Sequence, residues 1–220
     1  MVKYIPLAFI PVFLSGCMLI GISSGIPGSG TVKQEDRAID SFHAIDVSGA
    51  GTLKFKQSDE VSLSIETDDN LLEKMITEVN DGTLKIYNSE SISPTKGPII
   101  TIAGPSINSC KVSGAYKVEL ANVESDALKL SISGASKISA TGNVSNLTID
   151  ASGAISVDSL GLIADDVSID VSGASNLDVL ANKKLKVDAS GATKVRYKGD
   201  SGVAVEQNTS GVSKVSRMDD

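Results

Sequence analysis

Three carboxylates, Asp150, Asp170 and Asp188, each stand three residues before a glycine, and Asn208 holds the same place before a fourth. Carboxylates repeated at one place in a recurring unit could ligate a cation such as calcium, or serve as acid and base on a carbohydrate. Lys117, Lys137, Lys194 and Lys214 stand three residues after a glycine and form a second, basic series, which could exchange weak surface contacts with the acidic one. The several acidic ligands per turn of the usual calcium-binding repeat are missing, and neither an aromatic platform nor an arginine cluster accompanies the carboxylates. The first reading of the series is therefore a solvated acidic face, and a cation or ligand face is the second. His43 is the single histidine and has no second imidazole or cysteine near it in sequence, so it is read as structural. No catalytic residue, metal site or cofactor is assigned.

The series exist because the glycines recur. Ser-Gly-Ala appears around Gly49, Gly114, Gly134, Gly153, Gly173 and Gly191, with Ser-Gly-Val around Gly211, and from Gly114 onward the interval is 18 to 20 residues. A fixed period of this size is the signature of a solenoid. Four residues after each glycine stands an apolar residue: Leu53, Val118, Ile138, Val157, Leu177, Val195, Val215. Apolar residues also stand two and four residues before it, until Gln207 and Thr209 take those places in the last copy. Period-two alternation on both flanks predicts strands with one buried face, and the glycine marks a corner where a side chain would be resisted. The spacing predicts an all-β fold, a right-handed parallel β-helix of roughly 18 to 20 residues per coil, because stacking explains why like residues recur at like offsets. Hairpins do not explain it. Eight or nine coils would make a rod about 40 Å long at one strand spacing per coil.

The first 16 residues read as a signal peptide: Lys3, an apolar run from Ile5 to Leu14, then small residues. Leu14-Ser15-Gly16-Cys17 resembles the bacterial lipobox, which implies that Cys17 becomes the lipidated first residue, a palmitate-bearing anchor. Met18 after it implies outer-membrane sorting in a host with two membranes. Residues 17–35, rich in Gly, Ser and Pro, are expected to be a flexible tether, and the solenoid is expected over 36–217. The first coil is Phe42 to Phe55, strands follow at Val61–Ile65, Thr83–Tyr87 and Ile99–Ile102, and residues 88–98 read as an exposed loop. Between them Leu71, Leu72, Met75, Ile76 and Val79 have helical spacing behind Asp68, Asp69 and Asn70, which predicts a helical turn or ordered loop. With Cys17 lipidated, Cys110 is a buried thiol without a disulfide partner. The polar last coil is expected to cap the stack, with the chain finishing at Asp220.

The chain resembles the bacterial family called putative auto-transporter adhesin, head GIN domain. The residues that carry the likeness are Phe42 to Phe55, the stretch Asn70 to Ile86, and the later Ser-Gly-Ala coils, so it spans roughly 36 to 216. The resemblance implies a right-handed β-helical domain, secreted or attached to the envelope, with adhesion as its proposed role and no enzymatic residues to transfer.

Charge limits the partners. The formal net charge is −7, and it becomes −8 once the single lysine of residues 1 to 16 is removed, the wrong sign for nucleic acid. The expected partners are a membrane, through the lipid anchor, and a protein or glycan met by the acidic face or by the loops at 68–82 and 88–98. The expected function is a non-enzymatic binding protein of the cell envelope, periplasmic or surface-exposed. A periplasm-facing structural or stress-related protein and a carbohydrate-active enzyme are the alternatives.

Overall fold

A computed structural model describes residues 25–218. The expected signal peptide and the expected lipidation site Cys17 lie outside the described residues. Over the described residues the fold is all-β, without a closed barrel, and its regular elements are strands apart from one short 3-10 turn.

In chain order the strands are β1 (Ile26–Pro27), β2 (Val32–Arg37), β3 (Ala44–Gln57), β4 (Ser62–Asp68), β5 (Met75–Asn80), β6 (Thr83–Asn88), β7 (Ile92–Ser93) and β8 (Ile99–Gly104). The long bent strands β9 (Ser109–Gly134), β10 (Lys137–Gly153) and β11 (Ser156–Lys198) follow, then β12 (Ala204–Thr209) and β13 (Lys214–Arg217). The alternating sequence explains the long strands. The chain turns corners without leaving extended geometry, because the corner glycines take a positive φ that side chains avoid.

Strand β10 pairs in parallel with β9 on one side and β11 on the other, like residue against like: Gly153 is in register with both Gly134 and Gly173. The corners press close, since a Cβ on Gly153 would collide with the carbonyl oxygen of Gly134 and one on Gly173 with that of Gly153. The apolar ladder positions face inward as the alternation requires. Leu53, Val118, Ile138, Val157, Leu177 and Val195 are buried, as are Ile45, Cys110, Leu130, Ile149, Ile169 and Val187. They form one continuous core of β-branched and leucine side chains.

Gly49, far from Gly114 in sequence, is its direct neighbour: β3 runs parallel to β9 from Ala44↔Ser109 to Lys56↔Ala121. The residues between the two strands form a subassembly on the other edge of β3. There β6 and β8 pair parallel with β3, and the antiparallel strands β5, β4 and β2 complete the sheet.

One expectation is met in this subassembly and another is corrected. The helical turn expected within 70–79 is a 3-10 turn, Leu72–Lys74, which seats Leu71, Leu72 and Met75 in the interior. The chain then enters β5, paired antiparallel with β6, because Ile76, Thr77 and Val79 suit a strand and a strand partner is at hand. The tether expected up to residue 35 is strand-paired from Ile26 onward: β1 forms a separate two-stranded sheet with β7, and β2 joins the main sheet through β4. Asp68, Asp69 and Asn70 hold it there. Asp68 accepts from the amide of Gly30, Asn70 accepts from Ser29 N and donates to Pro27 O, and Asp69 accepts from Ser29 Oγ. These three residues thus fasten the strap, in place of capping a helix.

Candidate functional site

The acidic series lies along one face, where neighbouring passes bring it together. Asp150 and Asp170 are register partners, Ser131 precedes Asp150, and Asn208 follows Asp188. Basic side chains answer it from the same flank. Lys129 Nζ lies 2.7 Å from Asp150, Lys186 Nζ lies 3.9 Å from Asp188, and Lys111, which holds the acidic position itself three residues before Gly114, places its Nζ 3.0 Å from its register partner Asp46. These pairs are well exposed, so each contributes little. The basic series across the corner is occupied separately: Lys117 and Lys137 are register partners, and Lys117 pairs with Glu119 at 2.7 Å, holding that carboxyl below its usual range. The two series do not pair with each other in these contacts. Among the described residues no group of three or more His, Cys, Asp or Glu side chains could hold a metal ion.

The other residues singled out in the sequence occupy structural places. His43 is exposed and packs over Gly82, its backbone amide donating to Gly82 O. Cys110 is buried and has no disulfide partner among the described residues, and burial, with the charge of Asp46 second, pushes its thiol up to about 12. Asp68 is the buried carboxylate of the fold, 1% exposed. Burial raises its pKa, but hydrogen bonds from Thr95 Oγ1, Thr95 N and Gly30 N outweigh that and hold it below the usual carboxylate range.

The grooves of the surface follow from the stacking. One of about 320 Å³ runs beside the acidic series, between Ser131, Ser133, Asp150, Ser152 and Asp170. The loop 88–98 folds against the first corner and leaves a hollow of about 500 Å³ between Gly49, Ala50, Asn88 and Ser91. The largest, about 950 Å³, lies at the turns opposite the corners. There Glu124, Asn143 and Ile163 are consecutive register partners, with Asp126, Asp165 and Asn182 beside them. Ile163 is half exposed, at 46%. Lys183 approaches from the rim and pairs with Asp165 at 2.8 Å. No sequence motif marks these turns, and their recurrence at the repeat period is the signal of them that the sequence carries.

Hydroxyl, amide and carboxylate groups presented on consecutive layers, with one apolar side chain among them, can hydrogen-bond a polyhydroxylated or peptide ligand running along the stack. No nucleophile–base pair is assembled in this groove by the described side chains.

Comparison with known proteins gives a family and a fold. The family model described as "Putative auto-transporter adhesin, head GIN domain" matches residues 41–201. No curated protein matches the chain. Among solved structures, a putative adhesin from Bacteroides fragilis NCTC 9343 superposes with a TM-score of 0.69 at 20% identity, covering 88% of this chain and 100% of that one. A putative lipid binding protein from Parabacteroides distasonis ATCC 8503 superposes with a TM-score of 0.52 at 19% identity, covering 88% and 99%. A putative adhesin from Parabacteroides merdae ATCC 43184 gives a TM-score of 0.50 at 18% identity, covering 89% and 99%.

Proposed function

We propose a binding function for this chain, which belongs to the auto-transporter adhesin, head GIN domain family. In this reading it is a lipid-anchored, non-enzymatic protein of the cell envelope that holds a glycan or protein ligand along its stacked turns. The observation that carries it is the groove in which Glu124, Asn143 and Ile163 repeat layer upon layer beside Asp126, Asp165 and Asn182. A binding surface built from one position of successive layers is long, rigid and already organised, which reduces the ordering cost of binding. We read the layers as coils of a right-handed parallel β-helix of 18 to 20 residues each. The parallel register supports this, as does the strong preference of parallel crossovers for the right hand. The family's name and the names of its solved relatives support adhesion over catalysis, and the anchor rests on Leu14-Ser15-Gly16-Cys17.

The test is protease treatment of intact and permeabilised cells carrying the full chain tagged after Asp220, alongside the Cys17→Ala variant. Digestion on intact cells is expected, with Cys17→Ala released from the membrane fraction. On those cells Asn143→Arg, which fills the groove from an exposed position, should abolish attachment to a responsive glycan or protein surface. Protection until permeabilisation refutes adhesion and favours a periplasm-facing structural protein. An unchanged Asn143→Arg places the binding surface elsewhere.

A further inference from the structure

The two ends of the stack are finished differently. At one end the strap and the antiparallel strands cover β3, and the outermost strand, β2, reads Val-Lys-Gln-Glu-Asp-Arg, a charged edge that discourages further pairing. At the other end, among the described residues, β12 and β13 pair only with β11. The amides of Ser210, Val212 and Met218 all donate backwards, to the carbonyls of Ala189, Gly191 and Tyr197. In a parallel strand alternate backbone groups point to the opposite side. Both strands therefore offer an unpaired row of donors and acceptors among the described residues.

The side chains of this last layer also depart from the pattern. After the corner glycine six copies carry alanine, from Ala50 to Ala192, whereas the last carries Val212, which is 84% exposed. Val205 is 39% exposed, although its register partner Leu185 is fully buried. The charges are sorted as well: Glu206 is the only charged residue of β12, while β13 carries Lys214 and Arg217 and no acid.

We propose that this end is an interface with a second copy of the chain, related by a two-fold axis through the corner at Gly211. Strand β12 runs into that corner and β13 runs out of it. Rotation about the axis therefore lays β12 of one copy antiparallel on β13 of the other. Residues equally distant from Gly211 then face each other: Gln207 meets Val215, Val205 meets Arg217, and Asn208 meets Lys214. This keeps inward positions opposite inward ones. In this register Glu206 faces Ser216 and lies diagonal to Lys214 on the same outward face, whereas β13 on β13 would set bases against bases, so the charges favour this pairing. Val212 faces Ser210 of the second copy, which sets the two Val212 side chains diagonally across the axis. Such an interface is closed by its symmetry and makes a dimer, not a fibre. The inference stands apart from the ligand groove, which lies on the side of the stack.

The test is oxidative cross-linking of the full chain carrying Val212→Cys, with wild type and Ala127→Cys, an exposed position on the side of the stack, as controls. A disulfide-linked dimer is expected from Val212→Cys alone. Adding Val205→Lys, which opposes a base to Arg217 of the second copy, should lower the dimer yield by about tenfold. Val205 is partly exposed, so an unchanged thermal melt will separate loss of pairing from loss of fold. No dimer from Val212→Cys, equal dimer from Ala127→Cys, or indifference to Val205→Lys in a folded variant each overturns the interface.

Discussion

Replacing Gly153 by alanine tests the stacked corner. Gly153 has a φ of 120°, where an L side chain is strained by about 1–3 kcal/mol. The new Cβ would also lie inside contact distance of the Gly134 carbonyl oxygen, and Gly173 presses on Gly153 from the other side. Neither neighbour can yield without disturbing its own corner, and forcing extra atoms into a close-packed site costs about 1–3 kcal/mol more. The expected loss is about 3–5 kcal/mol, a large share of the ~5–15 kcal/mol that holds a domain together. For a domain of this size that lowers the melting temperature by about 10–15 °C. Two other glycines separate the contributions. Gly30 has a φ of 84° but nothing within 4 Å of an added Cβ, so alanine there carries strain alone, about 1–2 kcal/mol. Gly202 has open space and no positive φ, so alanine there should be neutral or slightly stabilising. Melts of the three variants by far-UV circular dichroism should rank Gly153 well below Gly30, and Gly30 below Gly202. If Gly153→Ala melted with Gly202→Ala, the corners would not be in the contact described.

Two further outcomes follow from buried groups. The folded pKa of Asp68 is depressed, so its stabilisation of the strap is present above the unfolded carboxylate pKa and is lost as pH falls through the folded value. Asp68→Asn, which turns an amide toward the donors Thr95 N and Gly30 N, should raise amide exchange in β2 at neutral pH, and its difference from wild type should shrink in acid; a pH-independent difference would mean the carboxylate charge is not what holds the strap. Cys110, buried and with its thiol raised to about 12, should resist alkylation in the native protein and react fully once unfolded. Native labelling at the rate of a free thiol would contradict its inward place beside Ile45 and Leu130.

The ladder was legible because burial and the period coincide. Ile149 and Ile169 stand at one offset from their glycines, and stacking puts both inside. Gly49 stands outside the 18 to 20-residue interval for the opposite reason: 65 residues separate it from Gly114, yet the two are register partners. A period records only passes that are consecutive in the chain, so an insertion between neighbouring layers hides their contact. The strap was misread because composition is local, while the groups that order it are not. Asp68 lies 38 residues from Gly30 and 27 from Thr95, and no window of sequence contains all three. The groove at Asn143 was present as a recurring polar turn, but a turn becomes a binding surface only when its neighbours in the stack are known.

The correction to the strap bears on how the proposed anchor would present the molecule. A tether running from Cys17 to residue 35 could extend about 60 Å, at no more than ~3.6 Å per residue. With Gly25 already beside Ile92 and Gly28 against Asp68, only residues 18–24 separate Cys17 from the folded body, a reach of under about 30 Å. A lipid at Cys17 would therefore keep the strapped, charged end of β2 close to the bilayer. The stack would carry its other end, with the open edges of β12 and β13, away from it. Under that arrangement the groove faces sideways, free of both the membrane and the proposed dimer contact, so a ligand and a second copy could be held at the same time.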